Sequence, residues 1–100
     1  MPSPSLRSLI GTAGPKIGTF LFEFATPGIG QILKAAGADY LVLDMEHTGF
    51  DADRIADQMA WFKATPVAPF VRVPQGLYHF LARTMDAGAL GVMIGNVETP

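Results

Sequence analysis

The sequence has no cysteine and little charge of either sign. Without cysteine, neither a disulfide framework nor a thiolate metal site is available. Charged residues make up 16% of the chain and hydrophobic residues 49%, a balance that excludes a disordered chain. Lysine and arginine together number seven and form no run, so no nucleic-acid partner is expected.

Long apolar runs are also absent. No apolar stretch is long enough to span a bilayer, and no charged-then-apolar signal peptide opens the chain. The 100 residues correspond to one small domain rather than two. With a net charge of −2, we expect a compact, soluble α/β protein without a membrane partner, located in the cytoplasm.

Apolar runs and helical spacings alternate along the chain. Runs rich in β-branched and aromatic residues predict four strands, at Lys16–Phe24, Tyr40–Asp44, Val67–Val73 and Leu90–Ile94. Helical spacing predicts four helices, at Pro2–Thr12, Thr26–Ala36, Asp51–Lys63 and Leu77–Ala87. Among the predicted ends, Thr26 is the N-cap before Pro27, Asp51 or Asp53 begins the third helix, and Gly37 and Gly88 end theirs.

This alternation predicts parallel βα units. Ala36-Gly37-Ala38 is repeated as Ala87-Gly88-Ala89 before a later strand, 51 residues on, which leaves room for two βα units. Such units form either a (β/α)8 barrel or a doubly wound sheet. A full barrel needs about 250 residues. Four strands would be half of one, with two open edges and an uncovered apolar face, so the chain is either part of a longer protein or a small sheet that associates.

The stretch Leu43–Asp51 contains three acidic residues and a histidine at the end of a buried strand. Active sites of barrels and open α/β sheets form at that end of the strands. His47 is a candidate general base, with Asp44 or Glu46 orienting it or binding a metal through water. The structural alternative is that Asp44 and Glu46 only cap the next helix or accept backbone amides.

Arg72 lies inside an apolar strand, two residues before Pro74. An arginine in such a place is rarely buried without a partner. Its planar guanidinium could bind a carboxylate with two parallel hydrogen bonds. The structural alternative is an ion pair with Asp44, Glu46 or Asp86.

Other residues carry weaker signals. Gly28-Ile29-Gly30 begins like a dinucleotide-binding loop but lacks the third glycine. His79 and Trp61 lie on predicted helices and are typical of surface or packing positions. Glu23 follows the first strand and could also face the site. Asp86 stands near a helix C-terminus, where a negative charge opposes the helix dipole and points to a specific cationic partner.

The sequence resembles the HpcH/HpaI family of metal-dependent aldolases, which cleave 4-hydroxy-2-oxo acids to pyruvate and an aldehyde. The resemblance covers nearly all of the chain. It is carried by Gly18-Thr19-Phe20, Ala36-Gly37-Ala38-Asp39-Tyr40, Leu43-Asp44-Met45-Glu46-His47, Val71-Arg72-Val73-Pro74 and Asp86-Ala87-Gly88-Ala89. The strand that ends in Asp-x-Glu-His, followed by a strand with Arg72, is the most specific part. Met45 stands where several relatives have a smaller residue.

The resemblance implies a role for each matching residue. His47 would be the catalytic base, acting through a metal-bound water with help from Asp86. Arg72 would be catalytic and would also hold the pyruvate carboxylate or enolate oxygen. Asp44 and Glu46 would complete the substrate-binding set. The cofactor would be a divalent cation (Mg, Mn or Co), with no metal ligand within this chain, because the family's ligands, one Glu and one Asp, lie on strands beyond residue 100.

The resemblance further implies an α/β fold in which parallel βα units form the first half of a (β/α)8 TIM barrel. Residues 1–100 would be the N-terminal part of that single domain, inactive alone. The whole protein would be a homo-oligomer, a trimer or hexamer, acting on a small-molecule 2-oxo acid, with aromatic catabolism as its context. A citramalyl-type acyl-CoA lyase and a non-catalytic α/β module are the alternatives, and the few basic residues favour small acids over CoA esters.

Overall fold

Strands and helices alternate in the computed structural model, which describes residues 5–100. The helices are α1 (Leu6–Ile10), α2 (Ile29–Ala35), α3 (Ala52–Phe62) and α4 (Tyr78–Ala87). The strands are β1 (Gly18–Leu21), β2 (Tyr40–Asp44), β3 (Ala68–Val73) and β4 (Val92–Ile94). The predicted order of elements is confirmed; residues 2–4 of the first predicted helix lie outside the described residues.

The four strands form one parallel sheet in the order β1-β2-β3-β4. A doubly wound sheet reverses its strand order at a switch point, whereas a barrel wall adds each strand beside the last. The consecutive order therefore decides between the two predicted architectures, and the fold is part of a (β/α)8 barrel. Among residues 5–100, β1 and β4 each pair with one neighbour only.

The hydrophobic core lies between one face of the sheet and the helices. Leu43 and Val71 are register partners on that face and are fully buried. They belong to the same buried cluster as Ile55, Met59 and Phe62 of α3. The opposite face corresponds to the inside of a barrel. An apolar cavity of about 310 Å³ lies there, lined by Leu9, Ile10, Tyr40, Val42, Phe70 and Val92 among others.

The predicted helix ends explain the internal repeat. Asp51 is the N-cap of α3 and accepts a 2.9 Å hydrogen bond from the Arg54 N–H. Gly37 and Gly88 have φ values of 89° and 117°, the left-handed region that glycine adopts without strain. The next residue donates to the carbonyl five positions back in both copies, Ala38 to Leu33 and Ala89 to Thr84. Each Ala-Gly-Ala is therefore the same helix stop before a strand.

Some predicted boundaries are wrong. α2 begins at Ile29, and its N-cap is Gly28 rather than Thr26. The reason is that the Thr26 carbonyl accepts the Ile29 N–H at 3.2 Å in a turn, which places Pro27 and Gly28 before the helix. β1 ends at Leu21 instead of Phe24, because its pairing with β2 stops at Leu43. α1 and β4 are also shorter than predicted.

No helix among residues 5–100 is both long and apolar enough to cross a membrane.

Candidate active site

The candidate site lies where β2 and β3 end. Asp44 and Arg72 are the last register pair of these two strands, so their side chains project from the same face of the sheet. Their neighbours two residues earlier on that face are Val42 and Phe70. The two charged residues therefore stand at the carboxyl edge, above the apolar interior of the half barrel.

Asp44 and Arg72 form an ion pair in which Nε donates to Oδ1 at 2.6 Å. The Asp44 side chain is fully buried, and the Arg72 side chain keeps 19% of its surface exposed. Asp44 also accepts the backbone N–H of Glu46 at 3.2 Å and that of His47 at 2.8 Å. Of the three acids considered for Arg72, the structure selects Asp44, so the structural alternatives, an ion pair with Arg72 and accepted backbone amides, are confirmed. A functional role for Asp44 stays a prediction.

Two opposing effects act on the Asp44 carboxyl. Burial alone raises its pKa, whereas the hydrogen bond from Arg72, the N–H groups of His47 and Glu46 and the Arg72 charge lower it. The lowering effects prevail, so the pKa of Asp44 lies below its usual value. The same hydrogen bond raises the pKa of Arg72. Both shifts favour the ionised forms of the pair.

The lowered pKa of Asp44 predicts a pH-dependent contribution to stability. The ionised carboxylate favours the folded state, so its contribution is complete above about pH 4 and is lost as the pH falls through the lowered pKa. Asp44→Asn should be less stable than the wild type at pH 7, and this difference should narrow below about pH 4. Urea unfolding of the full-length protein between pH 7 and pH 3 measures it.

Asp57→Asn is the matched control, because Asp57 is an exposed carboxyl on α3. This variant should follow the wild-type profile. A constant difference between wild type and Asp44→Asn at every pH would contradict the assignment.

Thr48 fixes the loop that follows β2. Its hydroxyl donates to the Asp44 carbonyl and accepts the Phe50 N–H at 3.1 Å. One side chain therefore ties the end of the strand to the residue before the N-cap of α3. His47 lies inside this closed loop, so its backbone position is set by Asp44 on one side and Thr48 on the other.

Replacing Thr48 by valine should destabilise the protein by about 1–2 kcal/mol, because two backbone groups lose their partner. Thr48→Ser keeps the hydroxyl and should lose much less. Equilibrium unfolding of the full-length protein compares the two variants. Equal losses in both would mean that the methyl group, and not the hydroxyl, holds the loop.

His47 and Glu46 form the second side-chain contact of the site. Nε2 of His47 lies 2.5 Å from Oε1 of Glu46. The His47 side chain is 64% exposed, and that of Glu46 is 13% exposed. Oε2 of Glu46 is buried without a hydrogen-bond partner, against Gly95, where an added Cβ would come within 2.5 Å of it. The exposed imidazole can exchange a proton with a bound molecule while Glu46 orients it and supplies a counter-ion.

Asp86 does not join this group within the chain. It lies in the last turn of α4, which returns to the start of β4, so it stands near the amino edge of the sheet and is exposed. It makes no ion pair with another residue of the described range 5–100. The carboxylate next to His47 is Glu46, and any assistance from Asp86 would have to come from another copy of the chain.

Within residues 5–100, no hydrogen bond or ion pair joins the other candidates to Asp44 or Arg72. His79 contacts Phe80 on α4, with 4.3 Å between ring centroids, and Trp61 is partly exposed on α3. Glu23 is exposed after β1. Gly28 is the N-cap of α2, and Gly30 lies in its first turn, where it packs against Phe62. The two glycines therefore do not form a phosphate-binding loop.

The acidic residues present do not by themselves build a metal centre. Asp44 is already engaged by Arg72 and two backbone N–H groups, and Glu46 uses one oxygen on His47. Within residues 5–100, no group of three or more His, Asp or Glu side chains is placed to hold a metal ion. A divalent cation at this edge would therefore need ligands from residues outside the described segment.

Sequence reasoning offered Asp44 or Glu46 as the group that orients His47, and the structure places Glu46 beside the imidazole. Two further features of the site were not predicted. Thr48 closes the loop, and Phe20 and Phe22 of the β1 end lie against the Arg72 guanidinium. The alternation of Phe20 and Phe22 around Leu21 could have predicted that both rings lie on the face of the strand opposite to Leu21, which is the inside of the barrel.

Comparison with known proteins shows the family of the chain. The sequence profile described as HpcH/HpaI aldolase/citrate lyase matches residues 16–100. The chain belongs to this family. The resemblance noted from the motifs is thereby confirmed.

Among relatives of the HpcH/HpaI chain, the hydroxypyruvate/pyruvate aldolase of Deinococcus radiodurans is 33% identical over 98 residues, which are 98% of this chain and 35% of that protein. The 5-keto-4-deoxy-D-glucarate aldolase of Salmonella paratyphi A is 37% identical over 75 residues, 75% of this chain and 29% of that protein. The crystal structure of an HpcH/HpaI aldolase from Desulfitobacterium hafniense superposes with a TM-score of 0.84 at 31% identity, over 91% of this chain and 35% of that one. The chain thus spans about a third of the length of the relatives it matches.

Proposed function

We propose that the full-length protein is a carbon–carbon lyase that cleaves a 4-hydroxy-2-oxo acid reversibly to pyruvate and an aldehyde. The observation that carries the proposal is the state of Arg72. Among residues 5–100, its side chain bonds only Asp44, and through Nε alone, so both Nη nitrogens are available at the carboxyl edge. A guanidinium that is bound through Nε can still donate two parallel hydrogen bonds from its Nη nitrogens to a carboxylate.

The proposed reaction uses the Arg72–Asp44 ion pair and the His47–Glu46 contact. The substrate carboxylate binds Arg72, which directs the 4-hydroxyl towards the exposed His47. His47 accepts the hydroxyl proton, and the electron pair of that O–H bond forms the carbonyl of the aldehyde. The C3–C4 bond breaks, and its electron pair forms the enolate of pyruvate. The Arg72 charge stabilises the developing oxyanion, and return of the proton to C3 completes pyruvate.

Glu46 and Asp44 support these steps without reacting. Glu46 lies 2.5 Å from the imidazole and offsets its positive charge after proton transfer. Asp44 holds the guanidinium by Nε, so only the Nη side faces the substrate. Asp86 assists His47 only if copies of the chain assemble with that residue near the neighbouring site, as the homo-oligomer implied by the family resemblance would allow.

A divalent cation would supply Lewis-acid stabilisation of the enolate. Because the described acidic residues do not form a cation site, its ligands would come from the part of the protein beyond them. The 100-residue segment alone is then expected to be inactive.

Pyruvate release tests the proposal. The purified full-length protein is incubated with a 4-hydroxy-2-oxo acid, and pyruvate is measured by coupled reduction, with and without chelation and re-addition of Mg²⁺, Mn²⁺ or Co²⁺. Metal-dependent release of pyruvate is the expected result. Cleavage of a citramalyl-type CoA ester but not of the free acid would replace the substrate class, and cleavage of neither would overturn the enzymatic function.

A further inference from the structure

We propose that the stacked rings of Phe20 and Phe22 hold the Arg72 guanidinium in position, and that Phe22 is a positioning residue for carboxylate binding. This inference rests on the proposed function, because it assigns the pair a role in holding the residue that binds the 2-oxo acid. We call Phe20 and Phe22 the aromatic pair.

The aromatic pair and Arg72 approach each other across the end of β2. Cζ of Arg72 lies 4.9 Å from the centroid of the Phe20 ring and 5.8 Å from that of Phe22. Both distances fall within the range of a cation–π contact. The two rings are themselves nearly parallel, with an angle of 12° and a centroid distance of 5.6 Å. Arg72 starts on β3, so its side chain crosses Asp44 of β2 to reach β1.

Hydrophobic burial does not account for the position of Phe22. Its side chain is 47% exposed, and the residue lies just past the end of β1 at Leu21. Among residues 5–100, the Phe22 ring contacts the Phe20 ring and the Arg72 guanidinium. The position of the half-exposed Phe22 ring is therefore set by its stacking on Phe20 and by its contact with the Arg72 cation.

The aromatic pair completes the fixation of the guanidinium. Asp44 holds Nε, but a single hydrogen bond still permits rotation of the planar group about that corner. Rings beside Cζ restrict this rotation, and they bear no polar atom that could compete for Nη. The Nη nitrogens are therefore held in one orientation before a carboxylate binds, which reduces the conformational entropy lost on binding.

The chain offers a matched control for this idea. Phe24 lies two residues after Phe22, is 62% exposed and makes no ring contact with another described residue. Phe22→Leu removes the ring but keeps an apolar side chain, whereas Phe22→Tyr keeps the ring. Phe24→Leu is the control, because it makes the same substitution at a phenylalanine that faces no described cation.

The test measures carboxylate affinity in the full-length protein. Phe22→Leu should raise the KM for the 4-hydroxy-2-oxo acid and the Kd for pyruvate about twofold to fivefold, with kcat nearly unchanged. Phe22→Tyr and Phe24→Leu should both keep the wild-type KM for the 4-hydroxy-2-oxo acid and the wild-type Kd for pyruvate. An unchanged KM and Kd in Phe22→Leu, or an equal rise in Phe24→Leu, would overturn the proposal.

A second measurement does not depend on catalysis. The Nε–H resonance of Arg72 in arginine-labelled protein, assigned by its loss in Arg72→Lys, should be shifted upfield by the ring currents. Phe22→Leu should reduce that shift, and Phe24→Leu should preserve it. If the wild type neither cleaves the acid nor binds pyruvate, the proposed function and the carboxylate role fail together. If it does both and Phe22→Leu moves neither the resonance nor KM, the role of the aromatic pair fails alone.

Discussion

His47→Ala is expected to lower kcat about a hundredfold to ten-thousandfold, the usual loss when a general base is removed. Two observations support the proposal of this role. It is 64% exposed at the carboxyl edge, so a bound molecule can reach it, and Glu46 lies 2.5 Å from Nε2 as the counter-ion for the imidazolium. Because the side chain is mostly exposed and His47 is not part of the hydrophobic core cluster, the substitution should leave folding intact.

The effect should fall on kcat, with KM within a few-fold of the wild type, because proton abstraction belongs to the transition state. His79→Ala is the control, since the other histidine of the chain lies on α4 against Phe80. Steady-state pyruvate release by the full-length protein gives both constants. A loss expressed mainly in KM would assign His47 to substrate binding and refute the base.

Arg72→Lys should lower kcat/KM on the order of tenfold to a hundredfold. Lysine keeps the positive charge but cannot bond Asp44 and a carboxylate from one rigid plane. The Asp44 carboxylate is fully buried and would lose its 2.6 Å donor, so the new ammonium would be drawn towards it and away from the substrate. Most of the loss should appear as a higher KM for the 2-oxo acid.

Arg83→Lys provides the comparison, because Arg83 is an exposed arginine on α4, outside the candidate site. The urea midpoint of each variant separates a binding defect from partial unfolding. If Arg72→Lys is as stable as Arg83→Lys and its kcat/KM equals that of the wild type, Arg72 does not bind the carboxylate.

The match between prediction and structure is closest where a feature depends on nearby residues. The alternation of strands and helices follows from local periodicity, and the stops at Gly37 and Gly88 follow from their positive φ. The N-cap at Asp51 needs only an N–H three residues ahead. The prediction of Thr26 as an N-cap is wrong because a turn through its carbonyl competes with a cap through its hydroxyl, and both involve the same residues.

The sequence by itself determined that Asp44, His47 and Arg72 meet at one edge of a parallel sheet, because each follows or ends a strand. Only the tertiary structure decided that Asp44, 28 residues away, pairs with Arg72, that Glu46 rather than Asp86 contacts His47, and that the aromatic pair lies against the guanidinium. It also decided the consecutive strand order that makes a barrel wall. The physical reason is that caps and periodicity act within a few residues, whereas these contacts depend on the register between strands, which the packing of the whole sheet sets.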